Sequence, residues 1–334
     1  MRSLTPVRVA AAGLILAAIV AALFLLPSDS YLLLPDHARA VEPLVEVQGE
    51  KPMRDGGGIY FVAVDVRKAS LIERAFPGIH EGSTLVPQDQ LLPPGVNEEA
   101  RREGELRAMA RSQQVAAAVA LRRLGYRVET RNVGVLVEAL VADSPAVGKL
   151  RPNDVIVTVD GEPVQTRSDL LRLVGTHEPG EKVRVEVKRG ATRATVTIRT
   201  AADPQDADRP VIGVFVEQAA SIQLPIEVKI DLGNVGGPSA GLAFALDVME
   251  ELGRDVDQGL KIAATGEIEL DGRVAPVGGV KQKTIAVRRS GIGVFLVPAG
   301  ENAREARRHA GGLRIIAVET FQQALRSLAT LSRA

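Results

Sequence analysis

Cysteine is absent from the 334 residues, which excludes disulfide bonds, thiolate zinc sites and a catalytic thiol. Tryptophan is absent as well, and aromatic residues make up only 3% of the chain. With apolar residues at 46%, the core has to be built from Val, Leu, Ile and Ala, which suits a mixed α/β protein. Neither sign of charge is in excess: 41 Lys and Arg balance 41 Asp and Glu. The basic footprint of a nucleic-acid binder is therefore missing. Histidine is scarce, with His37, His80, His177 and His309 the full set. No G-x-x-x-x-G-K run followed by Ser or Thr occurs, so no P-loop is present.

One long apolar run is present, and it stands near the start. Val9 to Leu26 carries no charged residue, and as a helix it would rise about 27 Å, close to the hydrocarbon thickness of a bilayer. Arg2 and Arg8 precede it, while Asp29 and Asp36 follow. The basic flank belongs on the cytoplasmic side, which puts the bulk of the chain outside. A cleaved signal peptide is the competing reading, with Ala38-Arg39-Ala40 as a small-residue cleavage site. A signal peptide's apolar region is usually only about 7–15 residues, which favours an uncleaved anchor over residues 1–30.

Residues 31–125 follow as a separate segment. Ile59 to Val64 reads as a strand after the Gly56-Gly57-Gly58 turn. Asn97 to Leu124 reads as one helix, capped by Asn97 and stopped by Gly125, with Leu106, Met109, Ala110, Val115, Ala118, Val119 and Leu121 on its buried stripe. Residues 126–202 have the rhythm of a small β-rich domain. Strands are expected at Val135–Leu140, Val155–Val159, Val183–Val187 and Ala194–Ile198, with a short helix opening at Ser168. Ala201 to Arg209 reads as a linker. Residues 203–334 then alternate strands and helices, beginning with strands at Val211–Val216 and Ile226–Ile230.

The chemistry centres on the turn Gly236-Gly237-Pro238-Ser239-Ala240-Gly241. Ser239 stands where a helix begins, so free N–H groups and the helix dipole converge beside its hydroxyl. Serine is also one of the preferred helix N-caps, and a capping serine does no chemistry. A nucleophilic serine needs a base, and none of the four histidines has an evident reason to meet it. A lysine held neutral by burial can replace histidine. In Val280-Lys281-Gln282-Lys283-Thr284-Ile285-Ala286-Val287, Lys283 shares its helix face with Val280, Ala286 and Val287. Lys281 shares its face with Arg288 and is expected to reach water.

Two resemblances sharpen this reading. The stretch VEALVADSPAVGKLRPNDVIVTVDGEPV resembles a PDZ domain, which implies capture of an extended chain, commonly a C-terminus, beside Val133–Leu136. The blocks GGPSAG, Ala264-Thr265-Gly266-Glu267, Gly272 to Val280 and Lys283 resemble the proteolytic domain of the Lon family. That resemblance implies a Ser239–Lys283 dyad with Thr265 supporting the lysine. Met109, Ser112, Ala116 and Leu121–Gly125 resemble the family's first helix, which leaves two options: a PDZ unit inserted in the protease domain, or one preceding it. The implied fold is α+β, a Lon-type domain with a β-rich PDZ domain and one N-terminal transmembrane helix, as in the PDZ–Lon membrane proteases of bacteria. Implied too are protein or peptide substrates, no cofactor or metal, no ATP requirement, a single-pass protein of the bacterial cell membrane with its catalytic part outside, and a ring, a hexamer by resemblance. Gly236 departs from the acidic residue of the soluble ATP-dependent relatives.

Two other readings compete. Gly237-Pro238-Ser239-Ala240-Gly241 also fits the nucleophile elbow of α/β-hydrolases, with Asp271 and His309 in the order a Ser–Asp–His triad requires. An inactive PDZ scaffold that binds exposed C-termini is the non-enzymatic alternative.

Overall fold

The computed structural model describes residues 6–49, 56–92, 98–233 and 235–331. The cap expected at Asn97 lies outside them. Helix α1 runs Pro6–Leu25, and its described apolar side chains Leu14, Ile15, Phe24 and Leu25 are exposed. Several of its other side chains are outside the description. Among the described residues, no helix is long and apolar enough to cross a membrane, so the expected anchor has no support from them.

Strand β1 (Pro27–Ala40) and strand β2 (Gly58–Ser70) form a long antiparallel pair, and β3 (Thr84–Pro87) pairs with β1 on its other side. Tyr31, Leu32, Ile59, Phe61 and Val62 of this ribbon are buried. The small-residue site at Ala38–Ala40 is paired with Tyr60–Val62 inside β1. A cut there would remove a strand with a buried Tyr and Leu from the sheet.

Helix α2 (Glu98–Arg123) turns only its C-terminal half to the core, through Met109, Val115, Ala116, Val119 and Ala120. The expected stripe is corrected at two positions, and Leu106 is only half-buried. Ala110 is exposed, and Ser112 is buried instead. The run of alanines after Val115 offers little side-chain bulk, which allows close packing on the helix that follows the Gly-rich turn.

The chain then leaves this body and builds a second one. Strands β4 (Glu129–Leu140) and β5 (Val155–Val159), helix α3 (Arg167–Val174), and strands β6 (Lys182–Arg189), β7 (Thr192–Arg199) and β8 (Val214–Gln223) form it. Its sheet runs β8-β4-β5-β6-β7, antiparallel throughout. Val183, Val185 and Val187 alternate into its core with Val135, Val137, Ile156, Leu170 and Leu173, as period-2 patterning requires. Three expectations are corrected here. Thr166, not Ser168, caps α3, because Asp169 returns the bond to the Thr166 N–H and closes a capping box. The stretch read as a linker is a hairpin, residues 201–203 pairing with 206–211. The strand expected at Val211–Val216 to open the last domain instead continues as β8, which lies along β4 from Leu140 to Glu129.

After β8 the chain rejoins the first body. Helix α4 (Gly241–Glu251), strands β9 (Lys261–Ala264) and β10 (Glu267–Ile268), helix α5 (Val280–Arg289), strand β11 (Val294–Pro298), helix α6 (Glu301–His309), strand β12 (Arg314–Val318) and helix α7 (Phe321–Ala329) complete it. Its sheet runs β12-β11-β9-β2-β1-β3, with the first four strands parallel and the rest antiparallel. Strands from before and after the second body thus share one sheet, and the β-rich unit interrupts the larger one.

Every residue of α4 is buried, including Asp247, Glu250 and Glu251. The Asp247 Oδ2 atom has no hydrogen-bond partner among the described residues. Burial, with Glu251 and Glu250 nearby, pushes the Asp247 carboxyl up to about 8. A folded-state pKa above the unfolded value means that stability falls as pH rises through the range between them. Asp247→Asn should therefore be neutral to stability near pH ~4 and stabilising by roughly 1–3 kcal/mol near pH ~9. Urea unfolding at both pH values checks this.

Candidate active site

Gly237, with φ 87°, turns the backbone into the left-handed region and delivers the chain into a 3-10 turn over Pro238–Ala240 that runs straight into α4. Ser239 is in the middle of that turn. Ala240 occupies the N-cap of α4 without a side-chain bond, so Ser239 is not spent as a cap. Its hydroxyl meets an amine instead. Lys283 Nζ is 2.8 Å from Ser239 Oγ and 3.0 Å from Thr265 Oγ1.

Lys283 comes from α5, which starts at Gly279 in the left-handed conformation. It is 3% exposed, and Val280, Ala286 and Val287 of the same face are completely buried. Among the described residues no carboxylate pairs with it. Burial alone brings its amine down to about 7. Lys281, expected to reach water, is half-buried and donates from Nζ to the Ser83 carbonyl at 2.9 Å. Thr265 is wholly buried at the end of β9. Its Oγ1 donates to the Ser239 carbonyl at 3.1 Å, and the Gly266 N–H donates to the same oxygen at 2.8 Å. The lysine and the backbone of the turn are thus fixed by one threonine.

Ser239 and Lys283 open onto a cleft of about 1160 Å³, and Thr265 lies behind them. Phe61, Val62, Val64, Met109, Val235 and Ala240 supply apolar lining. Three of the ion pairs on its walls are Arg39 with Asp36, Arg101 with Glu105 and Arg289 with Glu81, and Asp65 and Arg102 line it as well. His37 and His80 line this cleft too, closer to Ser239 than the sequence suggested. His37 pairs with Asp36 and His80 Nε2 with Glu73, and neither is hydrogen-bonded to the serine. The alternative triad is not assembled: Asp271 is bonded to Arg273, His309 lies off the cleft at the end of α6, and neither lines it.

Two residues of α2 hold the turn: Glu105, which no motif singled out, and Ser112, which the resemblance placed on the family's first helix without a role. The Glu105 carbonyl accepts the Gly237 N–H at 2.9 Å, and Ser112 Oγ donates to the Pro238 carbonyl at 2.8 Å. A Cβ at position 236 would come within 2.7 Å of Glu105 Cβ. Glycine there follows from the close approach of α2, and an acidic side chain would need that helix to move. For a metal, the described residues offer only Glu250, Asp255 and Asp257. These lie at the far end of α4, where Glu250 and Asp257 already accept backbone N–H groups.

The second body meets the first at a smaller cavity of about 520 Å³ between its sheet, α2 and β10. Arg111 ties the two together by pairing with Glu217 of β8 at 3.1 Å. The segment Val133–Leu136, expected to border a peptide groove, is not an open edge. It pairs with Leu136↔Glu217, Val135↔Gln218 and Gly134↔Ala219 on one side and with β5 on the other. Among the described residues β8 pairs with β4 alone, so its outer edge carries no strand. Gln218 Nε2 donates to the Gln165 carbonyl just before α3, which places that edge beside α3.

The structure thus brings a buried lysine onto a serine hydroxyl at a helix start, inside a cleft. Residues 122–200 match the PDZ domain, and residues 210–330 match the Lon protease (S16) C-terminal proteolytic domain. The chain is 39% identical over 105 residues to Lon protease 2 of Bacillus subtilis (strain 168), covering 31% of this chain and 18% of that one. Against the mitochondrial Lon protease homolog of Homo sapiens it is 44% identical over 70 residues, covering 21% and 7%. Among solved structures, the PDZ domain of the SdrC-like protein of Listeria monocytogenes is similar, with 25% identity, a TM-score of 0.24, and coverage of 25% of this chain and 87% of that one. The chain therefore carries a PDZ domain joined to a Lon-type proteolytic domain. It spans less than a fifth of the length of the curated relatives it matches. The PDZ match stops at residue 200, whereas the PDZ sheet is completed by β8 within the span of the proteolytic match.

Keeping an amine neutral in a dry site costs stability. A lysine whose folded pKa is depressed destabilises most below that pKa, and the penalty fades as pH approaches the unfolded value near ~10.4. Lys283→Met should raise stability by roughly 2–4 kcal/mol at pH ~6, with the gain shrinking towards pH ~10. Denaturant titrations of the two proteins across pH measure it.

Proposed function

We propose that the chain is an ATP-independent endopeptidase in which Ser239 is the nucleophile and Lys283 the general base. One observation carries this: a buried amine, without a counter-ion among the described residues, 2.8 Å from the hydroxyl of Ser239. Neutral Lys283 takes the Ser239 proton as Oγ attacks the substrate carbonyl, and N–H groups of the Pro238–Ala240 turn receive the oxyanion. The lysinium formed then protonates the leaving amine as the C–N bond breaks. Neutral again, Lys283 activates the water that hydrolyses the acyl-enzyme. Thr265 holds the amine on the hydroxyl throughout.

Substrate tails are captured, in this proposal, by strand addition to the outer edge of β8 beside α3 rather than next to Val133–Leu136. The exposed apolar helix α1 would anchor the protein in a bacterial cell membrane, with Arg2 and Arg8 on the cytoplasmic side and the protease outside. Substrates are then unfolded or flexible proteins at that face, since the chain has no P-loop motor to unfold them.

Cleavage of an unfolded protein should vanish in Ser239→Ala and fall about 10²–10⁴-fold in Lys283→Ala, with His309→Ala unchanged. In the wild type kcat/KM should rise with pH to a plateau with a midpoint near the value of about 7 set by burial of Lys283. The base must be neutral, so activity is lost on the acid side. Activity retained in Lys283→Ala but lost in His309→Ala would overturn the dyad.

A further inference from the structure

Ser112 takes no part in the proton transfers, yet it is bonded to the turn that carries the nucleophile. It is 4% exposed on α2, a helix that precedes the PDZ domain in the chain. Its hydroxyl donates to the Pro238 carbonyl, which also accepts the Gly241 N–H that closes the 3-10 turn. In a trans peptide the C=O and the following N–H point in opposite directions in one plane. Holding the Pro238 oxygen therefore aims the Ser239 N–H.

The two cavities give the direction. Pro238 borders both, Ser112 lines only the smaller one, and Ser239 lines only the cleft. The carbonyl is drawn to the Ser112 side, so the Ser239 N–H faces the cleft, among the first donors of a helix, which lack partners within the helix. There is little slack in this arrangement. A Cβ at Gly241 would come within 2.7 Å of Ser112 Oγ.

We infer that Ser112 is a positioning residue for the oxyanion: through the Pro238 carbonyl it fixes the Ser239 N–H as a donor to the tetrahedral intermediate. This rests on Ser239 being the nucleophile. It assigns α2 a task distinct from packing, and explains why a hydroxyl occupies a buried position where neighbouring turns carry alanine.

The test compares wild type, Ser112→Ala and Ser112→Thr with a peptide substrate and with a peptide boronate that forms a tetrahedral adduct on serine. Active sites are first counted with a covalent serine reagent, so that rates refer to folded enzyme only. Ser112→Ala should lose about tenfold in kcat with KM unchanged, less than the ~10²-fold of a deleted oxyanion donor. The boronate Ki should rise by the same factor, the midpoint of the pH profile should stay, and Ser112→Thr should recover most of both. Wild-type kcat and Ki in Ser112→Ala would overturn the inference, as would a loss of kcat with unchanged boronate affinity. A boronate without Ser239-dependent inhibition of the wild type would instead remove the nucleophile itself.

Discussion

The site depends on an amine placed where its charge has no counter-ion. Water stabilises an ammonium by far more than an apolar layer can, so burial of Lys283 between Val280, Ala286 and Val287 moves the proton equilibrium instead of unfolding the chain. A carboxylate beside the amine would restore the charge and remove the base. Among the described residues the surroundings supply hydroxyls and no acid: Ser239 and Thr265 are the hydrogen-bond partners of Nζ. Elsewhere the cleft is charged, and Arg39–Asp36, Arg101–Glu105 and Arg289–Glu81 pair with one another at the walls. Depth and neutrality of the floor, rather than any special residue, bring the Lys283 amine down to about 7.

The fold serves that requirement by closing one sheet from two distant stretches of chain. β2, from before the PDZ domain, lies directly against β9, from after it, and Thr265 follows the end of β9. α2 packs on α4, holding the Gly-rich turn by the Glu105 carbonyl and the Ser112 hydroxyl. The PDZ domain leaves after α2 and returns along β8, with β4 and β8 paired over their whole length. That ribbon, with Arg111 bridging to Glu217, fixes where the PDZ domain stands relative to the cleft. An insertion whose ends run side by side perturbs its host little.

What was legible in the sequence was local. The helix-face argument separated Lys283 from Lys281 because apolar neighbours at i−3, i+3 and i+4 are written in the chain. It failed for the polar end of Lys281, whose acceptor, the Ser83 carbonyl, is nearly two hundred residues away. Residues 214–223 alternate in burial as any strand of a two-faced sheet does, and alternation does not say which sheet. Val133–Leu136 reads as an open edge for the same reason, since its pairing with β8 is decided by tertiary structure. Ala110 and Ser112 exchanged roles because a buried hydroxyl needs a partner, and the Pro238 carbonyl is supplied only by tertiary structure. Thr166 and Ser168 are equal as caps by type, and Asp169 decides between them.

The ionisation of one amine can be observed without any substrate. NMR titration of the Lys283 side chain, assigned by comparison with a lysine-substituted variant, reads its proton equilibrium directly. A midpoint near 7, some three units below an exposed lysine, is the predicted result. A midpoint near the ordinary ~10.4 would mean that the ammonium persists at the serine, and the account of the base would be wrong.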